Sequence, residues 1–116
     1  MITLYGLKNC DTCKKAMKEL EAAGIAFEFV DIRADADVMA HVPVWLKKVG
    51  GKVLINTRST TWRGLGSEDR NRAETQPAAL LIENPTLIKR PVIVAGSDVH
   101  VGWTPAVRQA LLGASA

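Results

Sequence analysis

Two cysteines, Cys10 and Cys13, stand between a short apolar run, Ile2 to Tyr5, and a segment with helical periodicity. This placement constrains the fold more than any other feature of the chain. Cys13, Ala16, Met17, Leu20 and Ala23 or Gly24 repeat at helical spacing, with Lys14, Lys15, Lys18, Glu19 and Glu21 mostly on the other side. Gly6 to Asn9 is a turn into that helix, and Gly24 is its stop. Ala26 to Ile32 is β-rich and partly alternating, so the first third reads as a βαβ unit.

The middle of the chain changes character. Helical patterns at Val38-Met39 and Val42 to Val49 are interrupted by Pro43, Gly50-Gly51 and Gly64 to Gly66. Thr75 and Pro77 start a further helix through Ala78 to Ile82, stopped near Asn84-Pro85. The last third returns to strands, Val92 to Ala95 and Val99 to Gly102, around a Gly96-Ser97-Asp98 turn. Thr104-Pro105 then caps and starts a final helix with Val107, Leu111 and Leu112 on its apolar side. The order βαβ, helices, ββα describes an α/β chain of one domain, residues 1–116, with a helical insertion at about 34–85.

A length of 116 residues leaves room for one core, and 47% hydrophobic content excludes a disordered or fibrous class. Fifteen Lys and Arg against twelve Asp and Glu give a net charge of +3, an excess that suits small anions better than nucleic acid. No apolar stretch is long enough to span a membrane, and no secretory leader precedes the first strand, which points to the cytoplasm.

The cysteines carry the chemistry. At the mouth of a helix the exposed N–H groups favour thiolate over thiol, so Cys10 is placed to be a nucleophile. Lys8, Lys14 and Lys15 add positive charge nearby, and Asp11 opposes it. Cys13, one turn later, either resolves a mixed disulfide at Cys10 or serves as a small core residue. A metal site is disfavoured, because there is no second cysteine pair and His41 and His100 lack ligand spacing. Arg90-Pro91, just before a strand, is a second candidate feature, able to present a guanidinium to an anion.

Three segments, Tyr5 to Ala16, Asn56 to Arg63 and Asn84 to Val92, follow one another in an order and spacing that resembles the arsenate reductase family of the thioredoxin superfamily. The likeness is closest to the small subgroup that also includes the Spx-type regulators. It implies a thioredoxin-like fold, Cys10 as nucleophile, and Pro91 as a cis proline facing it. It also implies a substrate site of Asn9, Arg58, Arg90 and Pro91, with both arginines holding an oxyanion through their planar forks. Trp62 and Arg63 are further pocket candidates, the alternatives being packing for the tryptophan and a solvated helix charge for the arginine. The well-known arsenate-reducing members carry another arginine after the last strand, whereas Val101 to Pro105 contains none.

The expected activity is therefore that of a cytoplasmic thiol oxidoreductase with no bound cofactor or metal. Its substrate is a small oxyanion or a mixed disulfide. Glutathione is the co-substrate, and glutathione, glutaredoxin or Cys13 completes the cycle. The alternative is an Spx-type redox sensor in which a Cys10–Cys13 disulfide alters a surface that binds RNA polymerase.

Overall fold

The computed structural model describes residues 2–113. Strands β1 (Ile2–Gly6) and β2 (Phe27–Asp31) are parallel neighbours joined by helix α1 (Asp11–Ala22). Strand β3 (Val92–Ala95) runs antiparallel to β1, and β4 (Asp98–Val101) antiparallel to β3, giving the sheet order β2-β1-β3-β4. Helix α7 (Pro105–Leu112) follows the sheet. This is the thioredoxin-like arrangement that the sequence resemblance implied.

Between β2 and β3 the chain forms five helices, α2 (Val38–Val49), α3 (Gly51–Leu54), α4 (Thr60–Arg63), α5 (Ser67–Thr75) and α6 (Pro77–Glu83), and a 3-10 turn at Pro85–Leu87. The backbone falls into two compact units, Met1–Ala36 with Arg90–Ala116, and Asp37–Lys89.

In the first unit, Leu4, Ala16, Leu20, Ile93 and Val107 form a buried cluster, with Ile2, Phe27, Phe29, Trp103 and Leu111 packed against it. Each aliphatic side chain of leucine size removed from water here contributes about 1.5–3 kcal/mol. Local signals set the ends of the elements. The Gly24 N–H donates to Glu21 and the Ile25 N–H to Leu20, closing α1 with Gly24 at φ +72°. Thr104 Oγ1 accepts the Val107 N–H at 3.2 Å, and Pro105 occupies the first turn of α7.

The β3–β4 connection is one residue tighter than the sequence indicates. Asp98 already pairs with Ala95, leaving Gly96-Ser97 as a two-residue turn with Gly96 at φ +63°. The strand β2 is likewise shorter than Ala26 to Ile32.

In the second unit, α2 and α5 both pack against α6. Pro43 does not interrupt α2, contrary to its sequence reading. An interior proline removes one helical hydrogen bond and costs about 3 kcal/mol, but its neighbours Val42 and Trp45 are almost fully buried and offset that. The sequence pattern also missed α5. This helix buries no residue, so it has no apolar stripe to read. It carries Glu68 and Asp69 in its first turn, and Arg72 binds Asp69 and reaches across to Glu83 of α6.

Two packing contacts generate predictions. Gly6 ends β1 against α1, and a Cβ placed on it stands 2.6 Å from the Cys13 Sγ, which is itself fully buried. Gly6→Ala is expected to lower the unfolding free energy by about 1–3 kcal/mol through overpacking, measured by urea denaturation; a variant as stable as the parent shows that the sulfur can retreat.

The second contact joins α1 to α7. Glu19 accepts from Trp103 Nε1 at 2.9 Å and from Arg108 Nε at 2.8 Å. The Trp103 bond, followed by Arg108, holds the Glu19 carboxyl below its ordinary 4.5. Its contribution is fully present above 4.5 and is lost as pH falls through the depressed value. Glu19→Gln is therefore expected to be less stable than the parent at neutral pH, with the difference narrowing in acid. A difference independent of pH overturns this account.

Candidate active site

Cys10 is positioned by the turn that leaves β1. Its N–H donates to the Leu7 carbonyl at 3.2 Å, and its own carbonyl accepts the Lys14 N–H at 3.0 Å, the first bond of α1. Extended backbone angles, φ −89° and ψ 120°, make it the N-cap residue. The helical rise then carries Cys13 inward, so Cys10 is half-buried while Cys13 is fully buried. Both are free thiols.

The two sulfurs have opposite acidities. At Cys10 burial is the largest single influence and opposes ionisation. The Cys13 N–H, the Cys13 thiol and the Arg90 guanidinium act together against it and hold the Cys10 thiol below its ordinary value. The sulfur closes no capping hydrogen bond of ordinary geometry; the Cys13 N–H at the opening turn of the helix is the backbone group that favours its charge.

At Cys13 burial again dominates, and here it wins. A hydrogen bond from the Leu7 backbone pulls the other way, but the neighbouring Cys10 resists a second negative charge. The Cys13 thiol is pushed up to about 12. Ionisation is thus favoured at one cysteine of the pair, while the other keeps its proton and donates toward it.

The cation acting on Cys10 is Arg90. Of the flanking lysines that the sequence suggested for this part, Lys8 acts on Asp31 and Lys15 on Glu19. The Arg90-Pro91 peptide bond is cis, as the resemblance implied. The Pro91 carbonyl accepts the Gly102 N–H at 2.8 Å, fixing this segment to the end of β4. Cys10, Cys13, Arg90 and Pro91 thus belong to one unit. Asn9 belongs to it as well and is exposed on the turn before Cys10.

The remaining sequence candidates lie in the Asp37–Lys89 unit. Arg58 is exposed in a tight turn whose Asn56 Oδ1 accepts the Arg58 N–H at 3.0 Å. It lines a cleft of about 320 Å³. Trp62 lines a second cleft of about 400 Å³, and the Arg70 guanidinium lies over its ring at 5.8 Å. The clefts share Lys52, Ile55 and Thr57. Arg63 lines neither; it is exposed, and its carbonyl accepts from Arg70. Among the described residues no group of three His, Cys, Asp or Glu side chains gathers as a metal site, and no helix is long and apolar enough to cross a membrane.

Sequence reasoning missed Gly6, whose lack of a side chain leaves room for the Cys13 sulfur, and Lys52 and Lys89, which share the cleft of Arg58. Gly6 carried a readable signal, since glycine at the end of a strand often marks a close approach. The lysines carried none.

Comparison with known proteins bears on the family and the fold. A protein from Haemophilus influenzae described as uncharacterized is 41% identical over 111 residues, 95% of this chain and 97% of its own. The global transcriptional regulator Spx 2 of Lactococcus lactis is 30% identical over 105 residues, 89% of this chain and 80% of its own. The solved structure of the YFFB (PA3664) protein superposes with a TM-score of 0.88 at 33% identity, over 97% of this chain and 99% of that one. The ArsC family model matches residues 5–111, and the chain belongs to the ArsC family.

Proposed function

We propose that the protein is a cytoplasmic, glutathione-dependent thiol oxidoreductase with Cys10 as its nucleophile. The observation that carries this reading is the Cys10 sulfur, half-buried at a helix mouth, with its ionisation favoured by Arg90 and by the N–H and thiol of Cys13. The Cys10 thiolate attacks the glutathione sulfur of a mixed disulfide, and the substrate sulfur leaves and takes up a proton. The resulting Cys10–glutathione disulfide is attacked by a second glutathione thiolate. That step releases oxidised glutathione and restores the Cys10 thiolate; the second glutathione is the reductant, its sulfur passing from thiol to disulfide as the substrate sulfur returns to a thiol. Arg90, with Arg58 on the strength of the family resemblance, binds the anionic groups of the substrate.

Mixed disulfides fit better than arsenate. Where arsenate-reducing members of the family have a further arginine, this chain has the stretch Val101 to Pro105, in which Trp103 bonds Glu19 and Thr104 caps α7. That stretch supports the docking of a helix and offers no guanidinium to an oxyanion.

Glutathione, rather than Cys13, is the resolving thiol in this proposal. A buried thiol with its pKa pushed up to about 12 is protonated at neutral pH and supplies almost no nucleophile.

The 30% identity with Spx 2 favours a second reading, a redox-sensing regulator whose Cys10–Cys13 disulfide changes a surface for RNA polymerase. Binding to polymerase subunits by the oxidised or reduced protein, with no turnover, is the outcome that selects it.

The mechanism is tested in two ways, one of them by substitution of the cysteines. Cys10→Ser is expected to abolish reduction of a glutathionylated peptide, by several orders of magnitude. Cys13→Ser is expected to retain glutathione-supported turnover within about tenfold, since no step of the cycle needs its thiolate; a larger loss in a folded variant makes Cys13 the resolving residue.

The pH dependence gives the other. Alkylation of Cys10 by iodoacetamide is expected to rise through a midpoint below the ordinary thiol value of 9, and Arg90→Gln to move that midpoint upward. An unchanged midpoint removes Arg90 from the activation of the sulfur.

A further inference from the structure

Both faces of α2 are apolar, and only one is covered. Val42 and Trp45 are almost fully buried, His41 stacks on Trp45 with ring centroids 5.5 Å apart, and the helix packs against α3 and α6. On the other face Met39 is 72% exposed and Val44 52%, and Ala40 and Pro43 beside them are exposed as well. Helical spacing makes these four side chains contiguous, at i, i+1, i+4 and i+5. A helix that is hydrophobic all round is ordinarily a buried helix, and exposed apolar side chains gathered on one surface mark an interaction site.

The ends of this face carry opposite charge. Asp37 caps the helix, its Oδ1 accepting the Ala40 N–H at 3.3 Å, and Lys47 and Lys48 stand in the last turn. All three are exposed, and among the described residues none forms an ion pair. Asp37, Ala40, Val44 and Lys48 lie along one row of the helix surface and Met39, Pro43 and Lys47 along the next, so that acid, apolar patch and bases are in line.

We infer that this face of α2 pairs with the same face of a second copy of the chain, the two helices antiparallel about a two-fold axis level with Val42. A rise of about 1.5 Å per residue then sets Ala40 against Val44 of the second copy, Asp37 against its Lys47, and Met39 between its Pro43 and Lys47. The two-fold repeats each contact, so both acids meet bases and the exposed apolar side chains of both helices are covered. Parallel pairing instead sets lysines against lysines. A single pair of helices buries less than the roughly 1,600 Å² of a standard interface, so the dimer is a weak one. Every residue named lies within the Asp37–Lys89 unit, and neither Cys10 nor Arg90 takes part.

The test is sedimentation velocity of the full-length protein, with a reducing agent to keep Cys10 from linking copies, from about 10 µM to about 1 mM, where weak interfaces associate. A reversible monomer–dimer equilibrium is expected. It should be unchanged in Cys10→Ser, so that loss of turnover and loss of association are separate results. Val44→Lys, which places two like charges near the axis, is expected to weaken association at least about tenfold, and the exposed Lys18→Gln to leave it unchanged. Asp37→Lys, and the double variant Lys47→Glu with Lys48→Glu, are each expected to weaken it several-fold. An equimolar mixture of the two is expected to associate more tightly than either alone, because each reversed end then meets its opposite. Asp37→Lys also removes the helix cap, and the mixture controls for that, since both chains keep in it the substitutions they carry alone. A monomer at the highest concentration gives the face to a different partner and overturns the proposal, as does a dimer indifferent to Val44→Lys or a mixture no tighter than its components.

Discussion

The Cys13 sulfur lies against Gly6 with no room for a methyl group between them, and this contact sets the relation between strand and helix on which the chemistry rests. Because β1 lets the helix approach so closely, α1 seats its third residue in the core and leaves its N-cap residue at the edge. Burial then acts on the two sulfurs to different degrees. Cys13 keeps its proton, and the proton it keeps is the one it offers to Cys10. Two cysteines separated by one helical turn acquire different roles without any difference in residue type.

The same economy holds on the neighbouring strands at this end of the sheet. Pro91 precedes β3 and is tied to Gly102 after β4, so the hairpin that completes the sheet also fixes Arg90 next to the Cys10 sulfur. Trp103 and Thr104 continue directly from that hairpin and lock α7 onto Glu19 of α1. The residue that brings the charge and those that hold the helix in place therefore flank one hairpin, and each depends on the packing of α1 against the sheet.

Most of the first unit could be read from the sequence because its signals are local and redundant. Gly24 at a left-handed helix end, Thr104-Pro105 at a helix start and the short apolar run of β1 each state their conformation within a few residues. The Asp37–Lys89 unit was less legible for equally physical reasons. Pro43 reads as a break, yet burial of Val42 and Trp45 outweighs it, and burial is a tertiary fact. Helix α5 is held by charge, through Arg72 to Asp69 and Glu83, and hydrophobic periodicity cannot register such a helix. At the site, the spacing of Cys10 and Cys13 pointed to Cys10 as the candidate nucleophile and Arg90-Pro91 stood out before a strand, while the cis form of that bond was implied by the family resemblance. Lys52 and Lys89 escaped notice because thirty-six intervening residues separate them, and only the Ile55–Ile88 bridge brings their segments together.

Membership of the ArsC family leaves open which use is made of this frame, since a shared fold does not fix an activity. What separates a reductase from a redox sensor is the fate of the disulfide formed at Cys10. A sensor needs a disulfide that persists and reshapes a surface, which requires Cys13 to ionise and attack. A reductase needs the opposite, a partner sulfur that stays protonated while an external thiol clears the adduct. Burial of Cys13 behind Gly6 raises the barrier to the first course and leaves the second untouched. The packing of a glycine at the end of a strand thus bears directly on which chemistry the cysteine pair performs, and it favours the reductase.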